Sequence, residues 1–166
     1  MGGRTSAGGG GGGGVSCGAV TPTDVGEASY ELKSLDRMLT ASIKSGTNGT
    51  GPYGYHYPTP GDTAIRTAKQ IRGFRDSEVG RRVTTPADRK ALTKTASETE
   101  KLGKMANRMT KSRKPFDHDA YKAQMLKIKA PQTGMDTVRD SIRARNLPRP
   151  SSAEMGRINR RHGEPA

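Results

Sequence analysis

The sequence predicts a mainly α protein: several short helices joined by Gly/Pro breaks, extended or partly disordered, behind a disordered Gly-rich N-terminal leader. Three observations carry this reading. Apolar residues recur three and four positions apart in several stretches, the spacing that lines one face of a helix, and no run alternates with period two. Glycine (22 residues) and proline (10) gather between those stretches. Leu, Ile, Val and Phe together supply only 21 of 166 residues, about 13%, below the roughly 20% under which a highly charged chain is read as disordered. Amphipathic faces this thin are expected to bury one another poorly and to order fully only on a partner.

Residues 1–22 form the leader. Ten of the 22 glycines fall in the first 18 residues, seven of them consecutive at 8–14, and such a stretch has almost nothing to bury. Its opening, Met1-Gly2-Gly3-Arg4-Thr5-Ser6, fits the pattern for N-myristoylation at Gly2, or is simply the start of a low-complexity tail. One acyl chain binds a membrane only marginally, so a second signal, such as acylation of Cys17 or a polybasic patch, would have to accompany it. Cys17 is the lone cysteine, which excludes an internal disulfide framework and a multi-cysteine zinc site. An intracellular, reducing location is expected.

Residues 23–45 read as the most convincing helix. Val25, Ala28, Leu32, Leu35, Leu39 and Ile43 share one stripe, Thr23 is placed as N-cap, Asp24 and Glu27 suit the positive end of the dipole, and Gly46 ends it. This stripe is the most apolar in the chain and its surroundings are near neutral. Leu32, Leu35 and Leu39 are therefore expected to meet a protein partner. Residues 46–61 hold five Gly and three Pro in a linker that also carries Tyr53, Tyr55 and Tyr57. These tyrosines either pack on a partner, stacking on bases or docking on protein, or cover neighbouring helices of the same molecule.

Residues 62–166 form a basic helical region. A short helix is expected from Asp62 or Thr63 to about Phe74, with Ala64, Ile65, Ala68 and Ile71 inside. Thr85-Pro86-Ala87-Asp88 then combines a Thr N-cap, Pro at the first helical position and Asp in the first turn, opening a helix to about Ser112. Its inner positions are Ala91, Leu92, Thr95, Leu102, Met105, Ala106 and Met109. Asp117 caps a further stretch in which Phe116 staples onto Tyr121, and Met125 and Ile128 continue that face. Two pieces follow, about Asp136–Asn146 with Val138 and Ile142, and about Ser152–Arg161 behind Ser151 and Glu154, which are spaced as a capping box.

Charge is the strongest functional signal. The formal net charge is +13, and residues 81–166 hold 21 basic against 9 acidic side chains, net +12. The clusters that carry it contain Arg81, Arg82, Lys111, Arg113, Lys114, Lys122, Lys127, Lys129, Arg139, Arg143, Arg145, Arg149, Arg157, Arg160 and Arg161. A field of this sign draws polyanions, and each Lys or Arg set against a phosphate releases a counterion. Only Phe116 and Tyr121 are aromatic beyond residue 80, so phosphate contact is favoured over base stacking there.

The leading expectation is a non-enzymatic nucleic-acid-binding or nucleoprotein-packaging component that acts through its C-terminal half. A structural accessory protein lying along an acidic cytoskeletal or virion lattice is the alternative from a different class, and a myristoylated membrane-surface adaptor is a weaker one. No catalytic constellation, metal site or cofactor is expected. Arg161-His162-Gly163-Glu164 spells the opening of a histidine-phosphatase motif but follows a basic helical stretch instead of a buried strand. His118-Asp119 has no His or Cys at ligand spacing.

Overall fold

A computed structural model of the chain describes residues 18–46, 61–112, 114–128 and 134–146. Six helices occupy them: α1 (Pro22–Gly46), α2 (Asp62–Asp76), α3 (Glu78–Val83), α4 (Pro86–Lys111), α5 (His118–Ile128) and α6 (Met135–Asn146). No strand occurs among the described residues. The seven-glycine run, the 46–61 linker beyond Gly46 and before Gly61, and the expected helix at Ser152–Arg161 lie outside them.

The two long helices start in the same way. Thr85 accepts the Asp88 backbone N–H at 3.2 Å while the Asp88 carboxylate accepts the Thr85 N–H at 3.0 Å, a reciprocal capping box with Pro86 at the first helical position. Thr21-Pro22-Thr23-Asp24 repeats the chemistry at α1, with Asp24 N–H to Thr21 Oγ1 at 3.1 Å and Thr21 N–H to Asp24 Oδ2 at 2.9 Å. The α1 cap is therefore Thr21, not Thr23: proline fixes the first helical residue at position 22 and sets the cap one position before it. Ser77 caps the short α3 by accepting from the Gly80 N–H at 3.0 Å, in a stretch where sequence pattern predicts no separate helix. At α5, Asp117 accepts the Ala120 N–H at 2.9 Å, and the Phe116 and Tyr121 rings meet with centroids 5.6 Å apart, the expected cap and staple.

One apolar cluster joins all six helices. The whole α1 stripe is buried, and Leu32, Leu35 and Leu39 are 0%, 5% and 6% exposed. Ile71 and Phe74 of α2, Leu92 and Leu102 of α4, Tyr121 and Ile128 of α5, and Met135, Val138 and Ile142 of α6 complete it. The described helices are thus packed together, which overturns the expectation that their faces are too thin to bury one another. The reason lies in small residues. Thr67, Ala68, Thr95, Ala96 and Thr99 are each fully buried where the bundle is built, Thr99 Oγ1 bonds back to the Thr95 carbonyl, and Ser42 meets Thr67 at 3.0 Å. Such residues bring helix axes close together, so that backbone and Cβ atoms fill the interior that Leu and Phe fill elsewhere.

α2 runs antiparallel along α4. At one end Gly61 lies directly on Gly103, and the Gly61 N–H donates to Asn107 Oδ1 at 2.7 Å. Arg72 pairs with Glu100 at 2.6 Å midway, and at the far end Arg75 donates to Thr93 while Arg89 reaches Asp76 at 3.7 Å. The consequence for function is positional. With α1, α2, α5 and α6 gathered on its inner and lateral sides, α4 keeps one face uncovered among the described residues.

Candidate polyanion interface

Along that outer face of α4 stand Lys90, Lys94, Ser97, Lys101, Lys104, Arg108 and Lys111, spaced 4, 3, 4, 3, 4 and 3 apart. This is the helical repeat, so the seven positions form one line, opposite the buried Leu92, Thr95, Thr99, Leu102 and Ala106. All six cations are exposed, and Ser97 is half-buried. From Lys90 to Lys111 the line covers about 32 Å at roughly 1.5 Å per residue, close to one turn of duplex DNA at about 34 Å.

Two carboxylates buttress the middle of this ridge from its flanks. Glu98 accepts from Lys101 at 2.9 Å and from Gln124 of α5 at 2.7 Å. Glu100 accepts from Lys104 at 2.5 Å and from Arg72 of α2 at 2.6 Å. The hydrogen bonds from Lys101 and Gln124 hold the Glu98 carboxyl below its ordinary range, with the charges of Lys101 and Lys127 adding to them. Those from Lys104 and Arg72 do the same for Glu100. Arg72 on one side and Lys127 on the other thereby join the ridge into a cationic surface carried by three helices. Lys90, Lys94, Arg108 and Lys111 have no carboxylate partner among the described residues.

The basic residues expected from sequence fall into three groups. Arg81, Lys111, Lys114, Lys122, Lys127 and Arg143 are exposed. Arg82, Arg139 and Arg145 are spent largely on the fold. Arg82 lies 3.5 Å from Asp24 and 3.2 Å from Glu78, and Arg139 pairs with Asp136 at 2.9 Å. Arg145 joins the buried Asp88 at 2.5 Å and donates to the Val83 carbonyl at 3.1 Å, tying α6 to the end of α3 and the start of α4. Arg113, Lys129, Arg149, Arg157, Arg160 and Arg161 lie outside the described residues, as do Gly2, Cys17, Tyr53, Tyr55 and Tyr57. Leu32, Leu35 and Leu39, expected to meet a partner, face the chain's own helices instead.

Five ridge cations, Lys90, Lys94, Lys101, Lys104 and Arg108, lie outside the basic clusters read from the sequence; Lys90 has only Arg89 beside it and the other four have no basic neighbour. No two of them are neighbours in sequence, and their 3–4 spacing is the signal that gathers them. Among the described residues no group of three or more His, Cys, Asp or Glu side chains is placed to hold a metal ion, and no helix is long and apolar enough to cross a membrane. Comparison with protein-family models, curated proteins and solved structures finds no match to this chain.

Proposed function

We propose that the protein is a non-enzymatic nucleic-acid-binding or nucleoprotein-packaging component that grips phosphates through its basic surfaces. The observation that carries this reading is the α4 ridge: six exposed cations in a line of about 32 Å, four of them without a carboxylate partner among the described residues. Retaining that many like charges on one helix face costs self-repulsion that a polyanion relieves. The ridge holds no aromatic side chain for stacking, so contact is to the backbone and indifferent to base sequence. The C-terminal arginines Arg157, Arg160 and Arg161 add to the same field.

The test is a titration of labelled 20-base-pair duplex and 20-nucleotide single strand at several salt concentrations. If about 6–10 phosphates are neutralised, affinity falls by roughly three to five decades between 50 and 200 mM salt. Replacing Arg157, Arg160 and Arg161 together by Gln should lower affinity and salt slope for every sequence alike. Absence of binding to either probe at 50 mM salt would transfer the ridge to an acidic protein lattice, the alternative partner with the same sign of field.

A further inference from the structure

Between α2 and the middle of the ridge lies an open groove of about 200 Å³, lined by Arg72, Ser97, Glu100, Lys101 and Lys104. Three cations and one carboxylate give the lining a net charge of +2, and the Ser97 hydroxyl is not committed to any hydrogen bond among the described residues. Two of the cations already converge on a single anion. Arg72 reaches one oxygen of Glu100 at 2.6 Å from α2, and Lys104 reaches the other at 2.5 Å from α4. A phosphate group presents the same kind of anionic oxygen pair, and an arginine fork matches it bidentately. The volume accommodates a phosphate and a few waters, at about 30 Å³ per water. Glu100 stands on a flexible side chain that is 24% exposed, so it can swing outward without disturbing the core.

We propose that this groove is the phosphate seat of the ridge: Arg72, Lys101, Lys104 and the Ser97 hydroxyl hold one backbone phosphate, and Glu100 is the resident carboxylate which that phosphate displaces. The seat rests on the polyanion reading and makes it specific. Most ridge contacts are diffuse, whereas this one is a defined site with a built-in competitor. Glu100 therefore sets a threshold, since an isolated weak anion must dislodge it while a polyanion anchored at Lys94 and Arg108 does so at high local concentration.

The test uses the full chain labelled with ¹⁵N and titrated with inorganic phosphate against sodium chloride of matched ionic strength. Saturating shifts at the amides of residues 97, 100, 101 and 104 and at Arg72 Nε are expected. Arg72→Gln should abolish saturation, and Glu100→Gln should lower the half-saturation concentration several-fold. Shifts that climb linearly over all exposed cations, or a Glu100→Gln variant with unchanged half-saturation, overturn the seat. A second arm measures the 20-base-pair duplex. Arg72→Gln should weaken its binding more than Arg143→Gln, an equal change of charge on exposed α6, and equal losses overturn the assignment. Saturable phosphate binding with no duplex or strand binding at 50 mM salt would keep the seat and remove the nucleic-acid reading.

Discussion

Single residues decide how closely the helices meet. A Cβ on Gly103 would stand 2.5 Å from the Gly61 carbonyl oxygen and 2.8 Å from Ile65 Cγ1, both of which belong to the segment that begins α2. Gly103→Ala should therefore force α2 off α4 and cost about 1–3 kcal/mol, the usual penalty of overpacking, read as a lowered urea midpoint with unchanged slope. Tyr121 is the counterpart at the other side of α4. Its ring is 2% exposed and its hydroxyl donates to the Ile43 carbonyl at 2.8 Å, fastening α5 to the last turns of α1. Tyr121→Phe should cost about 1–2 kcal/mol near neutral pH through the orphaned carbonyl. Burial also pushes the Tyr121 phenol up from 10.0 to about 12. Above pH 10 the unfolded chain releases this proton while the folded chain keeps it, so the contribution is full below pH 10 and is lost as pH rises toward 12. The stability difference between the parent and Tyr121→Phe should accordingly shrink between pH 9.5 and 11. A constant difference over that range would mean that the phenol is not desolvated.

At the scale of elements, the recurring device is Thr-Pro-x-Asp with an arginine from elsewhere set against the aspartate. Asp88 of α4 is held by Arg145 at 2.5 Å, and Asp24 of α1 faces Arg82 at 3.5 Å. Hydrogen bonds from the Thr21 N–H and hydroxyl hold the Asp24 carboxyl below its ordinary range, with Arg82 adding to the effect, so this cap loses its contribution as pH falls below about 4. Asp88→Ala removes one half of the capping box, a hydrogen bond worth about 1 kcal/mol, and leaves Arg145 with the Val83 carbonyl and the Ser141 hydroxyl but no carboxylate. A double-mutant cycle with Arg145→Ala should show a coupling of roughly 0.5–3 kcal/mol, and coupling near zero would reduce the pair to a surface contact. These elements are unequally legible in the sequence. The α1 stripe and the α4 start are readable because each rests on several agreeing signals: period, cap and proline. α3 is not, since six residues around Gly80 carry no period, and its helicity depends on Ser77 capping it at a spot where Gly80 can touch the Phe74 carbonyl. The bundle's closure is hidden for a compositional reason, because the buried Ala and Thr of α2 and α4 and Ser42 of α1 do not register in a count of bulky apolar residues. For the same reason Leu32→Asp, which a partner-facing stripe would tolerate, should unfold the whole bundle and reduce both helical circular dichroism and binding.

For the whole molecule the question is why a line of exposed positive charge is kept along the outer face of α4. Lys90 and Lys94 sit one turn apart on α4 with like charge, beyond its first turn. Neither has a carboxylate partner among the described residues. On structural grounds alone they are misplaced. If they served the fold, neutralising them would destabilise it. If they serve a polyanion, the fold bears them as a cost that is recovered on binding. The two cases give opposite signs in one variant. Lys90→Gln with Lys94→Gln should raise stability at low salt by roughly 0.2–0.5 kcal/mol for the relieved i,i+4 repulsion, and the gain should fade as added salt screens the parent's charges. The same variant should lower the slope of log affinity against log salt by about 2, one unit for each phosphate left without its lysine, equally for every sequence. A thermal melt at 20 and 200 mM salt measures the first quantity and the duplex titration the second. A variant that is less stable at low salt, or more stable with an unchanged binding slope, would show that this end of the ridge does not face a phosphate backbone.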